Sequence, residues 1–248
     1  MKSVKVRDIT IGEGKPIICV PIVAAEKEEI LGEAGLIADA HPDLVEFRAD
    51  FYEGVKDFES TATVLRELRN ILKDIPILFT LRSYEEGGEA KLSNEEYIEI
   101  NIKAIRSGLI DMSDIELLRG DAAVRELIKI AHDEGVKVIV SNHDFEGTPD
   151  EKTIIHRMSL MQELGADVAK IAVMPRSSED VAILIAAAEQ VRETSECPII
   201  AISMGELGMI TRTDCESLGS SMTYASLSKA SAPGQIGIDE IRAIQNRK

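Results

Sequence analysis

Lys170 stands in an apolar run, residues 166–174, whose length and composition match a buried strand. A charged lysine is almost never fully buried without a partner. Removing an ammonium group from water favours its neutral form. A neutral amine in a pocket is a nucleophile, and its usual chemistry is a Schiff base with a carbonyl compound. The competing reading is a lysine at a strand end whose amine reaches back to water. His143 ends a second apolar strand and begins the loop Asp144-Phe145-Glu146-Gly147-Thr148-Pro149. Imidazole titrates near ~6.5, so this position suits proton transfer at neutral pH. A strand-end histidine bonded to backbone is the bland alternative. His132 and His156 fall in helical patterns and His41 follows one, where ordinary histidines are expected.

Two loops add polar groups. Arg82-Ser83-Tyr84-Glu85-Glu86-Gly87-Gly88-Glu89 follows an apolar strand, and its two glycines suggest a flexible loop. A carboxylate from this loop could reach a histidine and fix its tautomer. The residue types alone do not choose among Glu85, Glu86 and Glu89, and a solvated acidic loop is the other reading. Near the end, Gly205, Gly208 and Arg212 precede Ser231-Ala232-Pro233-Gly234-Gln235. Glycine-rich loops beside an arginine favour a bound carboxylate or phosphate.

These groups need a frame. Short β-rich runs at 17–22, 43–48, 77–82, 110–116, 136–142, 167–173, 198–204 and 222–225 alternate with helical patterns at 27–40, 61–72, 94–107, 122–134, 151–164 and 178–193. Alternating strand and helix implies a parallel sheet with right-handed crossovers. Eight such strands in 248 residues fit an α/β fold, the (β/α)8 TIM barrel, as one catalytic domain over 1–248. The segments 2–7 and 8–11, around Gly12, are expected to form an N-terminal β-hairpin closing the barrel bottom. Residues 205–221 read as a long loop with a short helix. A doubly wound open sheet is less suited, because no Gly-x-Gly-x-x-Gly follows the first strand.

Composition narrows the partners. A net charge of -16 without an offsetting basic cluster argues against nucleic acid and anionic membranes. No apolar stretch nears the ~20 residues needed to span a bilayer, and no signal-peptide pattern opens the chain. Cys19, Cys197 and Cys215 are odd in number, far apart and without metal-ligand spacing. They read as inert thiols of a reduced cytoplasmic protein.

Along a barrel strand, alternate side chains face the helices and the interior. Val45, Phe47, Ile77, Phe79, Leu81, Val138, Val140, Ile171 and Val173 fit the helix side. Glu46, Arg48, Arg82, Asp114, Glu116, His143 and Lys170 then converge on one interior, mostly toward the C-terminal strand ends where barrel active sites lie. A structural salt-bridge network is the alternative, but each buried charge costs several kcal/mol to desolvate.

Taken in order, several segments resemble a known family. They are Glu46-Phe47-Arg48-Ala49-Asp50, the Arg82–Glu89 loop, Ser141-Asn142-His143-Asp144-Phe145 with Thr148-Pro149, Lys170-Ile171-Ala172, Ser203-Met204-Gly205 with Arg212, Gly219-Ser220 with Thr223-Tyr224, and the loop from Ser231 to Gln235. Each is weak alone, but together they span nearly the whole chain, which resembles type I 3-dehydroquinate dehydratase. The resemblance implies dehydration of 3-dehydroquinate to 3-dehydroshikimate without a metal or organic cofactor. It implies a Schiff base on Lys170, His143 as general base and acid, and Glu86 orienting His143. It implies that Glu46, Arg48, Arg82, Arg212, Ser231 and Gln235 bind the substrate hydroxyls and carboxylate, with Arg212 the main carboxylate clamp. It also implies a homodimer, and with the chain ending soon after the last helical pattern no fused dehydrogenase domain is expected. Pro21, Thr211 and the Thr213-Asp214 pair depart from the family pattern, with a possible loss of one hydroxyl contact at Pro21 and altered loop closure at the others. Rival readings are a different Schiff-base barrel of the aldolase type, a metal-dependent barrel using Glu46, Asp114 and His143, and an inactive barrel acting as a binding protein.

Overall fold

In the computed structural model, which describes residues 3–227 and 229–247, eight parallel strands form a nearly closed barrel with helices outside. Two short strands precede it, β1 (Val4–Val6) and β2 (Ile9–Ile11). The barrel strands are β3 (Ile17–Ile22), β4 (Leu44–Arg48), β5 (Ile77–Thr80), β6 (Met112–Glu116), β7 (Lys137–Asp144), β8 (Val168–Val173), β9 (Ile199–Ser203) and β10 (Met222–Tyr224). The helices are α1 (Lys27–Asp39), α2 (Phe58–Leu72), α3 (Asn94–Arg106), α4 (Asp121–Asp133), α5 (Glu151–Leu164), α6 (Ser178–Thr194), the one-turn α7 (Ile210–Thr213) and α8 (Ile238–Gln245). Parallel ladders join β10 to β3 and then each successive strand through β9. The remaining seam is bridged by Ser221 N donating to Ile199 O at 2.8 Å and Ala201 N to the Ser220 hydroxyl at 3.3 Å.

Four of the helices start where a side chain supplies an acceptor for their free N–H groups. Asp57 caps α2, so that helix begins before the expected 61. Ser93 and Glu96 form a reciprocal capping box on α3. Asp150 caps α5 and Ser177 caps α6.

The alternation rule holds. Val45, Phe47, Ile77, Phe79, Leu81, Val138 and Val140 pack in the layer between sheet and helices, and Ile171 and Val173 do so against α5 and α6 residues. The opposite parity fills the barrel: Ile17, Cys19, Leu44, Leu78, Met112, Ile139, Val168, Ile200 and Met222 form its lower core. Val4, Val6 and Ile11 of the β1–β2 hairpin pack onto that core, so the hairpin plugs the bottom. Its turn is at Arg7 and Asp8 rather than around Gly12, since Val6 pairs with Ile9. Arg7, with a positive φ of 49°, donates from Nε to Asp111 at 2.5 Å, tying the turn to the start of β6. Lys2 lies outside the described residues. No described helix is long and apolar enough to cross a membrane.

Candidate active site

Two residues further along the same inward faces, hydrocarbon gives way to charge. β7 and β8 pair so that Ser141 lies opposite Lys170 and His143 opposite Ala172. Inward parity therefore brings His143 one layer above Lys170 on the neighbouring strand. β4, β5 and β6 bring Glu46, Arg48, Thr80, Asp114 and Glu116 inward by the same rule. Arg82 follows just beyond β5.

Lys170 is 4% exposed, and its Nζ lies 3.3 Å from Asp114 Oδ2. It thus has an acidic partner and is not the lone buried lysine that the apolar run suggests. Its other neighbour is the Tyr224 ring, whose centroid is 4.5 Å from Nζ, within cation–π range. Burial alone would raise the Asp114 carboxyl, but the Arg82 guanidinium and Lys170 ammonium beside it hold it below the usual range. Asp114 also accepts from Arg82 Nη2 at 2.8 Å and from the Ser141 hydroxyl at 2.6 Å.

Arg82 is the hub of this layer. Its Nη1 donates to Glu116 at 3.1 Å and to Ser141 at 3.0 Å. Glu116 accepts further from Ser83 N at 2.8 Å and from both Nε and Nη2 of Arg119 at 2.8 and 2.7 Å. The buried charges therefore form a hydrogen-bonded network, the condition under which such groups are tolerated.

His143 is held by Glu86. Its backbone N donates to Glu86 Oε2 at 2.8 Å, and Nδ1 lies 3.0 Å from the same oxygen. Asn142 Nδ2 adds a bond to Oε1 at 3.3 Å. Glu86 ends a 3-10 turn, Tyr84–Glu86, started by the Ser83 hydroxyl. Burial, reinforced by the nearby Glu116 charge, raises the Glu86 carboxyl to about 7. Burial also pushes His143 well below its ordinary value, with the Arg82 and Lys170 charges acting in the same direction. A neutral imidazole with Nδ1–H on ionised Glu86 leaves the Nε2 lone pair for a proton. The glycines after Glu86 lie in close contact with their surroundings. A Cβ on Gly88 would meet Arg82 O at 2.1 Å, and one on Gly87 would meet the Phe145 ring at 2.3 Å.

Arg212, on α7, is 2% exposed. Its Nη2 donates to Pro233 O at 3.1 Å. Nε and Nη1 are buried with no hydrogen-bond partner among the described residues. Burial lowers this guanidinium to about 10. The Thr211 hydroxyl bonds Ser203 N at 3.0 Å and Gly208 O at 2.8 Å, so threonine fastens α7 to β9. The loop carrying Ser231 and Gln235 folds over the barrel: Gly205 N donates to Pro233 O at 3.2 Å, and Arg48 Nη1 to Ser231 O at 3.4 Å. Ser231 and Gln235 bond each other twice, each at 2.9 Å. Arg48 is otherwise held bidentately by Asp50, at 2.8 and 2.7 Å.

One cavity of about 480 Å³ is lined by all nine expected site residues: Glu46, Arg48, Arg82, Glu86, His143, Lys170, Arg212, Ser231 and Gln235. Phe145, Met204 and Tyr224 also line it. Alternation along β10 puts Tyr224 inward, a position the sequence reading gives no role, and Asp114 has a role there only in the rival metal-dependent reading. Pro21 does not line the cavity. Glu46, Asp114 and His143 do not assemble into a metal site, and no group of three or more His, Cys, Asp or Glu side chains suited to a metal occurs among the described residues.

The chain matches the family model described as type I 3-dehydroquinase over residues 18–246. It is 47% identical to the 3-dehydroquinate dehydratase of Clostridium novyi, covering 99% of this chain and 98% of that one. It is 45% identical to the enzyme of that name from Klebsiella pneumoniae, covering 98% of each. The crystal structure of type I 3-dehydroquinate dehydratase from Clostridium difficile, solved with covalently modified comenic acid, superposes with a TM-score of 0.96 at 44% identity, covering 99% and 97% of the two chains.

Proposed function

The chain belongs to the type I 3-dehydroquinase family and its reaction is the dehydration of 3-dehydroquinate to 3-dehydroshikimate in the shikimate pathway; we propose that Lys170, His143 and Glu86 carry it through an imine on Lys170. The observation that carries this division of labour is that Lys170 and the Glu86-bound His143 face one cavity from neighbouring strands.

In this reading Lys170 passes a proton to His143 and its neutral amine attacks the ketone carbon; His143 returns that proton to the carbinolamine hydroxyl, which leaves as water to give an iminium. The iminium draws electrons from the adjacent C–H bond. His143 Nε2 takes that proton, and an enamine forms. The enamine expels the β-hydroxyl, which leaves as water with the proton now on His143. Water then adds to the product iminium and releases 3-dehydroshikimate and the free amine. Asp114, held ionised, faces a nitrogen that is cationic at the iminium stage and stabilises it. Glu86 fixes the histidine tautomer and compensates its transient charge.

The two unpartnered donors of Arg212 suit a carboxylate bound bidentately. Glu46, Arg48, Ser231 and Gln235 suit the substrate hydroxyls. Arg82 reaches the cavity, but its guanidinium is engaged by Asp114, Glu116 and Ser141. Its main service is therefore to hold that layer rigid. Three buried cysteines outside any disulfide among the described residues are consistent with a reducing cytoplasm, and a homodimer is the assembly the family resemblance implies.

The test is turnover of 3-dehydroquinate by the wild type and by Lys170→Ala. The variant is expected to keep its fold by circular dichroism and lose at least ~10³-fold in kcat/KM. Near-normal turnover would overturn the imine.

A further inference from the structure

Among the described residues, four buried side-chain polar atoms lack a hydrogen-bond partner: Arg212 Nε and Nη1, Ser203 Oγ and Tyr224 OH. Such orphans are rare in folded proteins and each calls for an explanation. The Arg212 atoms have one in the substrate carboxylate. Ser203 lies on the outward parity of β9, away from the cavity, with Ile202 and Met204 lining it instead. Tyr224 is different, because it lines the cavity and is 3% exposed.

We propose that the Tyr224 hydroxyl is a substrate contact: with the Glu46 carboxylate it forms a donor–acceptor pair for a hydroxyl group next to the imine carbon. The ring centroid lies 4.5 Å from Lys170 Nζ, which puts the phenol beside the carbon that Lys170 would hold. Glu46 lines the same cavity, and its Oε1 already accepts from the Thr80 hydroxyl at 2.8 Å. Burial raises the Tyr224 phenol well above its ordinary range, and the Glu46 charge adds to the effect. The phenol therefore keeps its proton and can act as a donor. A carboxylate or carbonyl oxygen would meet repulsion from Glu46. A hydroxyl accepts from Tyr224 and donates to Glu46, satisfying both. The substrate has such a group on the carbon beside its ketone. The inference rests on the Lys170 reading for where that carbon sits.

Tyr224→Phe tests it, since the change keeps the ring against Lys170 and removes only the hydroxyl. On 3-dehydroquinate, KM is expected to rise about threefold to tenfold with kcat within about twofold, the signature of a lost binding contact. Unliganded Tm is expected to stay the same or rise, because a buried hydroxyl without a protein partner is removed. With the analogue lacking the hydroxyl beside the ketone, wild type and variant should have equal KM. An unchanged KM on 3-dehydroquinate, an equal loss on the analogue, or a lowered Tm would each overturn the pair. Borohydride trapping of the wild type, run alongside, separates the two claims. A wild-type adduct with unchanged variant KM overturns the hydroxyl pair alone. A wild type without adduct overturns the Lys170 reading, and the two KM values still decide on the hydroxyl.

Discussion

The lower and upper halves of the barrel interior come from the same strands by the same alternation, yet one is hydrocarbon and the other is charge. Below, Leu44, Leu78, Met112, Ile139 and Val168 meet the hairpin residues Val4, Val6 and Ile11. Two positions on, the strands present Glu46, Thr80, Asp114, Ser141 and Lys170. The lower ring holds the strands together and needs only shape and hydrophobicity. The upper ring is desolvated charge, which contributes little net stability but leaves each group fixed at the cavity. The difference teaches that one ladder register serves both ends: stability is concentrated below, and chemistry uses the rigidity that results.

Substitutions can break this comparison. The largest effect is expected above. His143→Ala should lower kcat by ~10²–10⁴-fold with little change in Tm, and substrate adduct on Lys170 should accumulate because its hydrolysis slows. Intact mass during turnover checks this, and a Tm collapse would mean the upper ring is structural. Next, Leu78→Ala below should cost roughly 2–5 kcal/mol of stability and leave kcat unchanged, as read by denaturant unfolding and kinetics. Loss of kcat without loss of stability would dissolve the distinction between halves. The smallest effect sharpens the upper ring. Glu86 is buried with its carboxyl raised to about 7, so its ionised form is present above that pH and lost below it. Wild-type kcat/KM should rise with pH through about 7. Glu86→Gln should remove that limb and lower the plateau by about tenfold. A variant that keeps the limb would assign it to another group.

How much of this is legible in the chain depends on where a side chain sits. Strand positions obey a period of two, so Glu46, Asp114, His143 and Lys170 could be placed inward from alternation alone. Partner choice does not follow from period. Lys170 reads as a lone buried amine until β6 is brought beside it with Asp114. Loop and turn residues have no period at all. Nothing in the run from Glu85 to Glu89 selects Glu86, which reaches His143 only because the Ser83-started 3-10 turn aims it inward. Gly87 and Gly88 look like hinges in sequence, but the left-handed φ of 82° at Gly87 and the approach of Gly88 to the Arg82 carbonyl are what favour glycine there. The hairpin turn was displaced for a similar reason. Arg7 can adopt a positive φ, so the chain reverses there without needing Gly12. Arg212 stands out in sequence beside glycine-rich loops and its rank as main clamp comes from the family resemblance, while its two unsatisfied donors are visible only in three dimensions.

The central claim is the covalent bond at Lys170. The most direct measurement is borohydride reduction during turnover of 3-dehydroquinate, followed by proteolysis and tandem mass spectrometry. The expected result is one reduced adduct, on the peptide containing Lys170 and absent from Lys170→Ala. Turnover with no adduct, or an adduct on another lysine, would contradict it.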